Sequence, residues 1–525
     1  MIQLKMEKII LKGITQDQTR ELRPIFNSGD DIEFSGEAET HGMLKEDLEA
    51  LYGRYHIGDI GAAKIFRITN VDGKYINGGK FFNSTPTFSE DNPRPDRDRH
   101  NVAENVFLQF YESQNISIKD LEFTSYHTEM RNGYPAFYGS REFEHAFETV
   151  ASKNIYLKNI VVNNIPGDFL YLRREILPRN SGITIIDCTV TSNGRQGVAW
   201  GDGENVYIDN LTVKASGRGG VDIETVREQY AGKNIIVKNS YFNTWLLTFP
   251  MGGLGTIENA LFENNTSETN SNFTAVLGDR QSVIRKNIIF RGNKSVRYFG
   301  SPAAMYTLRG AENILIENEE TKISSTRSGI IADINNCRNV VIRNNRWEGA
   351  KIIKVIDTPL EEIKIYGNNS PLKLQVYSFE MPFIEAPNIW EIRKDITDPG
   401  DAYDEWGKQH REYDAYMEER WKTATSEIID APIYDVEKYG EPDVPKDPDF
   451  APYMGVDTVE EEPEVIEPTP EPKPIPEPTP KPEEPPFIEP IKKLTLMEKI
   501  LNHLKEYNRY YIIGFLIAIL LIIIL

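Results

Sequence analysis

Residues 194–224 decide the fold of this chain, and they read GRQGVAWGDGENVYIDNLTVKASGRGGVDIE. The pentad Gly-Arg-x-Gly-Val occurs twice in this stretch, at residues 194–198 and at residues 217–221. Between the two copies, residues 205–210 (NVYIDN) alternate apolar and polar side chains, which is the period of a β-strand with one buried face. A motif that returns after 23 residues around such a strand predicts one turn of a solenoid.

The same strand pattern, apolar-x-apolar-x-Asn or Asp, recurs from about residue 20 to residue 375. Clear copies start at Ile116, Ile155, Ile183, Val206, Ile235, Ile314 and Val340. Weaker copies are expected at Ile257/Asn259, at Val283/Asn287 and at Ile363. Nine coils between the first and the last of these positions correspond to roughly 27 residues per coil, which is within the range of solenoid repeats.

A stack of parallel strands is the architecture that this pattern favours. An apolar period of two excludes helical repeats, whose period is about 3.6. The Leu-x-x-Leu-x-Leu core and the helix that leucine-rich repeats need are absent from the pattern. Asn side chains at one turn of successive coils are expected to hydrogen-bond along the axis, as in other stacked strands. The sequence therefore predicts an all-β, single-stranded parallel β-helix.

Over about residues 20–375 these coils, with the segments Gly-Arg-Gln-Gly-Val and Gly-Val-Asp-Ile-Glu, resemble the right-handed parallel β-helix (pectate-lyase-like) superfamily. That superfamily includes pectate lyases, alginate epimerases and lyases, and bacteriophage tailspike depolymerases. The resemblance implies a right-handed helix and a polysaccharide partner. By analogy with tailspikes it also implies a homotrimer.

Composition divides the chain into five parts. Residues 1–60 are expected to form an N-terminal cap and the first strands, and residues 61–375 the parallel β-helix. Residues 376–430 are interpreted as a helical C-terminal cap or oligomer segment, with a helix over 403–429. Residues 431–490 read as an acidic proline-rich linker, because 16 of the 49 residues from 442 to 490 are proline. Residues 491–525 read as an amphipathic segment that continues into a tail anchor.

The anchor is predicted from residues 510–525 (YYIIGFLIAILLIIIL), which carry no charge from Tyr510 through Leu516 to Leu525. Basic residues precede this segment, so the positive-inside rule places the large N-terminal part on the cytoplasmic side. That side conflicts with an extracellular polysaccharide. A virion that encloses a host-derived membrane would resolve the conflict, with the β-helix facing outward as a spike. A cellular tail-anchored protein is the alternative.

The candidate catalytic residues lie around the two pentads. Asp222 and Glu224 should point outward, because Val221 and Ile223 between them take the buried side of the strand. Two carboxyl groups on one face fit a glycoside hydrolase, with Asp202 as a further partner. The resemblance to pectate lyases implies a second mechanism, in which Arg195 or Arg218 takes a proton and Ca²⁺ binds the substrate. No dense Asp cluster accompanies these arginines, so hydrolysis ranks first, without metal or other cofactor.

Substrate contacts are predicted from an aromatic insertion and from outward arginines. The insertion at residues 125–145 supplies Tyr126, His127, Tyr134 and Tyr138, whose rings can stack on sugars. The outward arginines are Arg173, Arg280 and Arg309. An insertion folded onto its own small core, and a surface ion-pair ladder of low energetic value, are the alternatives for these residues.

The formal net charge of −21 argues against a nucleic-acid partner, which needs a basic surface. The sequence as a whole predicts a membrane-anchored β-helix that binds cell-surface polysaccharide, with the lipid bilayer as its second partner. Cleavage of that polysaccharide is a further hypothesis. The alternative from a different class is a non-catalytic structural, adhesion or host-attachment protein.

Overall fold

Each coil of the chain contributes up to three short strands, and equivalent strands of successive coils pair in parallel. The computed structural model describes residues 6–41, 64–83, 106–136, 144–173, 178–225, 227–278, 284–298, 303–323, 329–349, 351–380, 408, 412 and 415–455. Residues 1–460 form one unit. A second unit, residues 461–525, lies outside the described residues. The architecture of the first unit is a parallel β-helix with three faces, named here in the order in which a coil visits them.

The first face includes Asp72–Asn83, the longest of the described strands. Its strands are Glu7–Ile10, Ile32–Thr40, Asp72–Asn83, Gln114–Lys119, Lys153–Lys158, Asn180–Ile186, Gly203–Asp209, Ala231–Lys238, Thr256–Glu263, Arg285–Arg291, Glu312–Glu317, Arg338–Arg343 and Ile363–Tyr366. The second face belongs to the same sheet, because two of these strands continue around the corner. Its other strands are Gly13–Asp17, Glu122–Thr124, Val161–Ile165, Thr189–Asn193, Thr212–Ser216, Tyr241–Thr244, Thr266–Thr269, Lys294–Arg297, Glu320–Ile323 and Arg346–Glu348.

The third face is a separate sheet. Its parallel strands are Lys64–Thr69, Val106–Tyr111, Phe147–Val150, Leu170–Leu172, Gln196–Trp200, Gly219–Thr225, Phe249–Gly253, Thr274–Leu277, Tyr306–Arg309, Ile330–Asn335, Ile352–Ile356 and Lys373–Ser378. Pairing joins each strand to the same strand of the next coil, so the interior is one continuous apolar core.

The predicted strand register is confirmed at the clear copies of the repeat. Ile116, Ile155, Ile183, Val206 and Ile235 are directly paired from coil to coil, and all are buried. Of the three weaker copies, the one at Ile363 is confirmed by its pairing with Val340, and the other two were placed wrongly along the chain. The residues that pair with Ile235 and its successors are Ala260 and Ile288, whereas Ile257 pairs with Gly232. Val283 lies outside the described residues. A small Ala in the first case, and a buried Arg285 near the start of the next strand, hide the apolar alternation there.

Asn259 and Asn287 belong instead to a column of asparagines on the first face. Each of these side chains donates its Nδ2 to the Oδ1 of the Asn one coil earlier, at 2.8–3.1 Å from Asn234 to Asn339. Each rung has a left-handed backbone, with φ between 45° and 58°. Asparagine tolerates that conformation better than other residues with a side chain. This Asn ladder stands at a different position from the turn Asn of the repeat, although the turn residues are also left-handed.

The ends of the described coils are covered by short elements. At the N-terminal end the helix Thr19–Phe26 packs Phe26 against Phe34 and Phe66, with ring centroids 5.2 and 4.2 Å apart. At the other end Thr425–Asp430 forms an antiparallel strand on the edge of Lys373–Ser378. The predicted helix over 403–429 is therefore wrong in its last part. Residues 415–422 are helical, but an open sheet edge recruits the β-branched residues that follow.

Residues 431–455, which the sequence groups with the linker, lie along the outside of the first face. Glu441 accepts hydrogen bonds from Arg343 and from the hydroxyl of Tyr366, and Asp447 pairs with both terminal nitrogens of Arg291 at 2.9 and 3.0 Å. Val444 packs on an outward apolar row, Leu261, Ile289, Leu315 and Val341. This segment, called the strap below, also contains the short helix Val436–Tyr439.

Within the described ranges, no helix is long and apolar enough to span a bilayer. The predicted anchor from Tyr510 to Leu525 lies outside those ranges. Most of the predicted linker is also outside them.

Candidate functional site

The third face presents a row of outward side chains around the two pentads. Glu148, Tyr171, Ala199 and Asp222 are directly paired from coil to coil, about 4.8 Å apart. On the strand Gly219–Thr225 the residues Val221 and Ile223 are fully buried in the core, whereas Asp222 is partly exposed and Glu224 is exposed. The alternation of the strand therefore places both carboxyl groups on the outward side.

Asp222 is held by its neighbour on the preceding coil. The Nε2 amide of Gln196 donates to Asp222 Oδ2 at 2.6 Å. Burial, and after it the negative charge of Glu224, raise the pKa of Asp222 to about 7. Arg195 and Arg218 act in the opposite direction, because their positive charges favour the carboxylate. At neutral pH this carboxyl group can therefore exist in either protonation state, as an acid catalyst requires.

A buried polar cluster lies beside this row. Arg195 Nη1 is 2.7 Å from Asp168 Oδ2, and His145 Nδ1 is 3.1 Å from the same oxygen. The backbone N–H of Gln196 donates to Asp168 Oδ1 at 2.8 Å. Burial alone would raise the pKa of Asp168, but the charges of Arg195 and His145 outweigh it and hold that pKa below its usual value. Asp168 thus fixes both Arg195 and the start of the Gln196 strand.

The row continues toward the N-terminus as a chain of hydrogen bonds. Gln109 Nε2 donates to Glu148 Oε2 at 2.5 Å, and Arg67 Nε donates to Gln109 Oε1 at 2.5 Å. Arg173 Nη1 donates to the other oxygen of Glu148 at 3.1 Å. Glu148 has no exposed surface. Arg173, predicted as a substrate contact, therefore also neutralises a buried carboxylate.

The aromatic insertion crosses the pentads as a β-hairpin. Strands Met130–Arg131 and Tyr134–Pro135 pair antiparallel around Asn132-Gly133, both with positive φ, as in type I′ turns. A Cβ on Gly217 would lie 2.5 Å from the carbonyl oxygen of Pro135 and would also contact that of Gly194. The pentad glycines therefore let the hairpin approach the solenoid, which side chains at these positions would prevent.

Arg218 lies in a cleft between the hairpin and the turns that lead into the third face. The cleft has a volume of about 440 Å³, and we call it the hairpin cleft. Its walls are Arg131, Asn132, Tyr134 and Pro135 from the hairpin, and Gly217, Arg218, Trp245 and Leu246 from the turns. Arg195 and Arg218 occupy the same position of successive pentads, but their side chains have different surroundings. Arg195 contacts buried Asp168, whereas Arg218 lines the cleft.

Three predicted site residues have structural partners instead of open surroundings. Asp202 is buried beyond the end of its strand, where Oδ1 accepts from the Ala231 N–H at 2.7 Å and lies 3.3 Å from Arg179 Nε. Burial raises the pKa of Asp202. It is not an outward partner of Asp222, because it closes the turn into the first face. His127 is buried with Nε2 2.9 Å from the Ala136 carbonyl oxygen. The Tyr126 hydroxyl donates to the Glu144 carboxylate.

The remaining predicted contacts are spread out. Arg309 is exposed on the third face, but its strand is three coils away from that of Glu224. Tyr138 and Arg280 lie outside the described residues. In the part of the chain that is described, no group of three or more His, Cys, Asp or Glu side chains could hold a metal ion.

Sequence reasoning missed Asp168, Glu148, Gln196 and Trp245. Gln196 stands inside the first pentad, but the 23-residue offset pairs it with Gly219 and pairs Asp222 with Ala199, so the diagonal contact between Gln196 and Asp222 does not follow from the repeat. Asp168 and Glu148 stand at third-face positions where the repeat pattern is weak. Only the register of the third-face sheet brings them beside the pentads.

Comparisons with known proteins agree with this architecture. Residues 176–370 match the family model described as the right handed beta helix region. No curated protein matches the sequence of the chain.

Solved structures resemble the chain at low sequence identity. The A-module of a mannuronan C-5 epimerase from Azotobacter vinelandii is 11% identical, with a TM-score of 0.40 over 69% of this chain and 97% of that one. A family 28 exopolygalacturonase from Yersinia enterocolitica is 11% identical, with a TM-score of 0.38 over 71% and 77%. A tailspike of the Escherichia coli bacteriophage HK620 is 11% identical, with a TM-score of 0.29 over 71% and 79%. Together with the stacked parallel strands, the family match shows that residues 176–370 form a right-handed parallel β-helix.

Proposed function

We propose that this protein binds a polysaccharide along the third face around the pentads. The observation that carries the proposal is that Tyr171, Asp222 and Glu224, which are at least partly exposed, point outward from nearby strands of this face. A polymer lying across these coils would meet the ring of Tyr171 and the carboxyl groups of Asp222 and Glu224. Hydrogen-bonding groups and ring faces of this kind recognise the hydroxyl groups and the apolar faces of sugars.

Hydrolysis of the bound polysaccharide is the second proposed function. Asp222 and Glu224 are two residues apart on one strand, which separates their Cα atoms by about 6.6 Å. Asp222, with its pKa raised to about 7, is the candidate acid that protonates the leaving oxygen. Glu224 is the exposed carboxyl group that would activate water or attack the sugar. These two roles need different environments, and the two side chains have them.

The test uses the full-length protein in uncharged detergent and a panel of acidic and neutral polysaccharides. Binding is measured by co-sedimentation, and turnover by new reducing ends and by the ultraviolet absorbance of unsaturated products. We expect binding by the wild type, and reducing ends without the absorbance. Asp222→Asn and Glu224→Gln should retain binding and lose at least about a hundredfold in rate. Glu320→Gln, an exposed carboxyl group on the second face, is the matched control.

The outcomes separate the two functions. Binding without any products would contradict hydrolysis and leave a recognition protein. Unsaturated products that disappear with EDTA would replace the hydrolase by a lyase. Absence of binding across a panel that includes the host's own glycans would contradict the recognition function itself.

We also propose that residues 510–525 anchor the protein in a membrane as the base of a spike. The support is the uncharged apolar composition of that segment. Alkaline carbonate extraction should leave the full-length chain in the membrane pellet and release a chain that lacks residues 510–525. The spike is proposed to be a homotrimer, by analogy with tailspikes. Light scattering of the protein in detergent measures its mass and tests this stoichiometry. Release of both chains by carbonate would contradict the anchor.

A further inference from the structure

The hairpin cleft combines aromatic rings and arginines at the head of the strand that carries Asp222 and Glu224. Trp245 and Tyr134 pack against each other in its wall, with ring centroids 5.4 Å apart and an interplanar angle of 57°. Both rings are partly exposed. Two tilted rings that remain accessible offer a stacking surface for the apolar face of one sugar unit.

Contacts with the second face hold Tyr134 in place. Its hydroxyl donates to Asn243 Oδ1 at 2.7 Å, which joins the hairpin to the second face. Burial raises the pKa of Tyr134, so the phenol stays protonated and keeps this hydrogen bond at neutral pH. On the other side, the Trp245 N–H of the backbone donates to the Ser216 carbonyl at 3.0 Å, and Leu246 N–H to the Arg218 carbonyl at 2.8 Å. The walls are therefore supported by both the hairpin and the solenoid.

The charge of the cleft is positive, although the whole chain is strongly acidic. Arg131 and Arg218 are among its eight lining residues, and none of the eight is acidic. Two carboxyl groups stand near the cleft but outside its lining: Glu268, which acts on Tyr134, and Asp222, which interacts with Arg218. A guanidinium group binds carboxylate and sulfate through paired N–H donors. Charge and shape thus select a sugar unit that carries an anionic group.

We propose that the hairpin cleft is a binding subsite for an anionic sugar unit, with its ring against Trp245 and Tyr134 and its acidic group against Arg218 and Arg131. The inference deepens the proposed polysaccharide binding and rests on it for its biological meaning. Arg218 directly precedes the strand Gly219–Thr225. If one sugar unit lies in the cleft, the next units of the polymer would therefore lie over the row that contains Asp222. The ligand class is defined by its negative charge, and the anionic group can be a carboxylate or a sulfate.

The experiment compares three single sugars on the full-length protein in uncharged detergent: glucuronate, glucose 6-sulfate and glucose. Saturation-transfer NMR and the quenching of tryptophan fluorescence measure binding without assuming any linkage. We expect at least one anionic sugar to bind roughly tenfold more tightly than glucose, because a charge-assisted hydrogen bond contributes to it alone. The relative affinities for glucuronate and glucose 6-sulfate show whether the cleft prefers a carboxylate or a sulfate group.

Variants locate the binding. Arg218→Gln and Trp245→Ala should remove the preference for the anionic sugars, and Arg131→Gln, on the exposed hairpin, should weaken it without a risk to folding. Arg346→Gln and Trp421→Ala are matched controls, because both side chains are exposed and neither lines the cleft. Melting temperatures verify that each variant is folded.

The possible failures are distinguishable. Equal affinity for glucose and the anionic sugars, or a preference that survives in Arg218→Gln and Arg131→Gln, overturns the cleft assignment. If those variants also bind the polymer as the wild type does, polysaccharide binding stands without this subsite. If the wild type binds the anionic sugars but no polymer, the cleft stands and the proposed function fails.

Discussion

At the scale of single residues, Asp222 shows how one strand position acquires chemical character. Its backbone is ordinary strand, and its side chain alternates outward as the sequence predicts. What distinguishes it is the neighbourhood: Gln196 donates to it, and Glu224 shares its face. A carboxyl group that is protonated at higher pH in the folded chain than in the unfolded chain makes stability depend on pH.

We predict that Asp222→Asn stabilises the protein at neutral pH and has little effect near pH 4. The folded pKa is raised from 3.8 to about 7, so between these values the folded protein keeps a proton that the unfolded chain has lost. The free energy of unfolding of the wild type therefore falls as pH rises through this window. Asn also accepts from Gln196 and does not titrate. The difference should stay below about 4 kcal/mol, because each pKa unit corresponds to about 1.4 kcal/mol and Asp222 is partly solvated.

Melting temperatures of both proteins from pH 4 to pH 8 measure this effect. Glu319, whose pKa burial raises to about 8, changes the wild-type curve in the same direction. For this reason the informative quantity is the difference in melting temperature between variant and wild type at each pH, because the contribution of Glu319 is the same in both proteins. A difference that is constant over the whole range would contradict the prediction.

At the scale of elements, the Asn ladder is a column of hydrogen bonds that ties one coil to the next outside the core. Each interior rung donates one hydrogen bond and accepts another. The chain itself replaces one rung by Gly182, with φ of 68° at the corresponding position. Backbone conformation at a rung is therefore at least as important as the side chain.

We predict that Asn259→Gly is less destabilising than Asn259→Ala. Both variants lose the hydrogen bonds with Asn234 and Asn287, at 3.1 and 2.9 Å. Alanine must in addition adopt φ near 58°, which costs about 1–2 kcal/mol for a residue with a Cβ. Denaturant unfolding should give a loss of about 2–4 kcal/mol for alanine and about 1–2 kcal/mol less for glycine. Equal losses would mean that the hydrogen bonds alone determine the energy of the rung.

At the scale of the whole molecule, the strap runs back along the coils that precede it. Glu441 contacts Arg343 and Tyr366 near the last coil, and Gly455 packs against Tyr156 and Ser117. Nine strand spacings separate Lys364 from Ser117, about 43 Å. The fourteen steps from 441 to 455, in a segment with four prolines, cover about the same length at about 3.1 Å per residue. An extended strap therefore fits the stack without slack.

We predict that Val444→Asp releases the strap. The valine packs on the apolar row Leu261, Ile289, Leu315 and Val341, and a carboxylate there would lose its hydration. Trypsin should then cleave after the exposed Lys446 at least about tenfold faster than in the wild type. Asp449→Ala, at an exposed strap position, should cleave at the wild-type rate. Unchanged cleavage in Val444→Asp would mean that the ion pair of Asp447 and Arg291 holds the strap by itself.

The sequence by itself determined the parallel β-helix, the register of its regular coils and the outward side of Asp222 and Glu224. Those properties are local: a period of two and a repeat of 20–30 residues specify which side of each strand is buried. It did not determine which residues meet Asp222, where Asp202 points, or that Thr425–Asp430 is a strand.

Only the tertiary structure decided these points, because each depends on residues far apart in the chain. Asp168 reaches Arg195 across 27 residues, Tyr134 reaches Asn243 across 109, and Asp447 reaches Arg291 across 156. No periodic pattern encodes such pairs. They arise because the stacked coils hold an insertion against the pentads and a returning strap against the first face. Local sequence therefore sets the scaffold, and the stacking of the coils sets the candidate site.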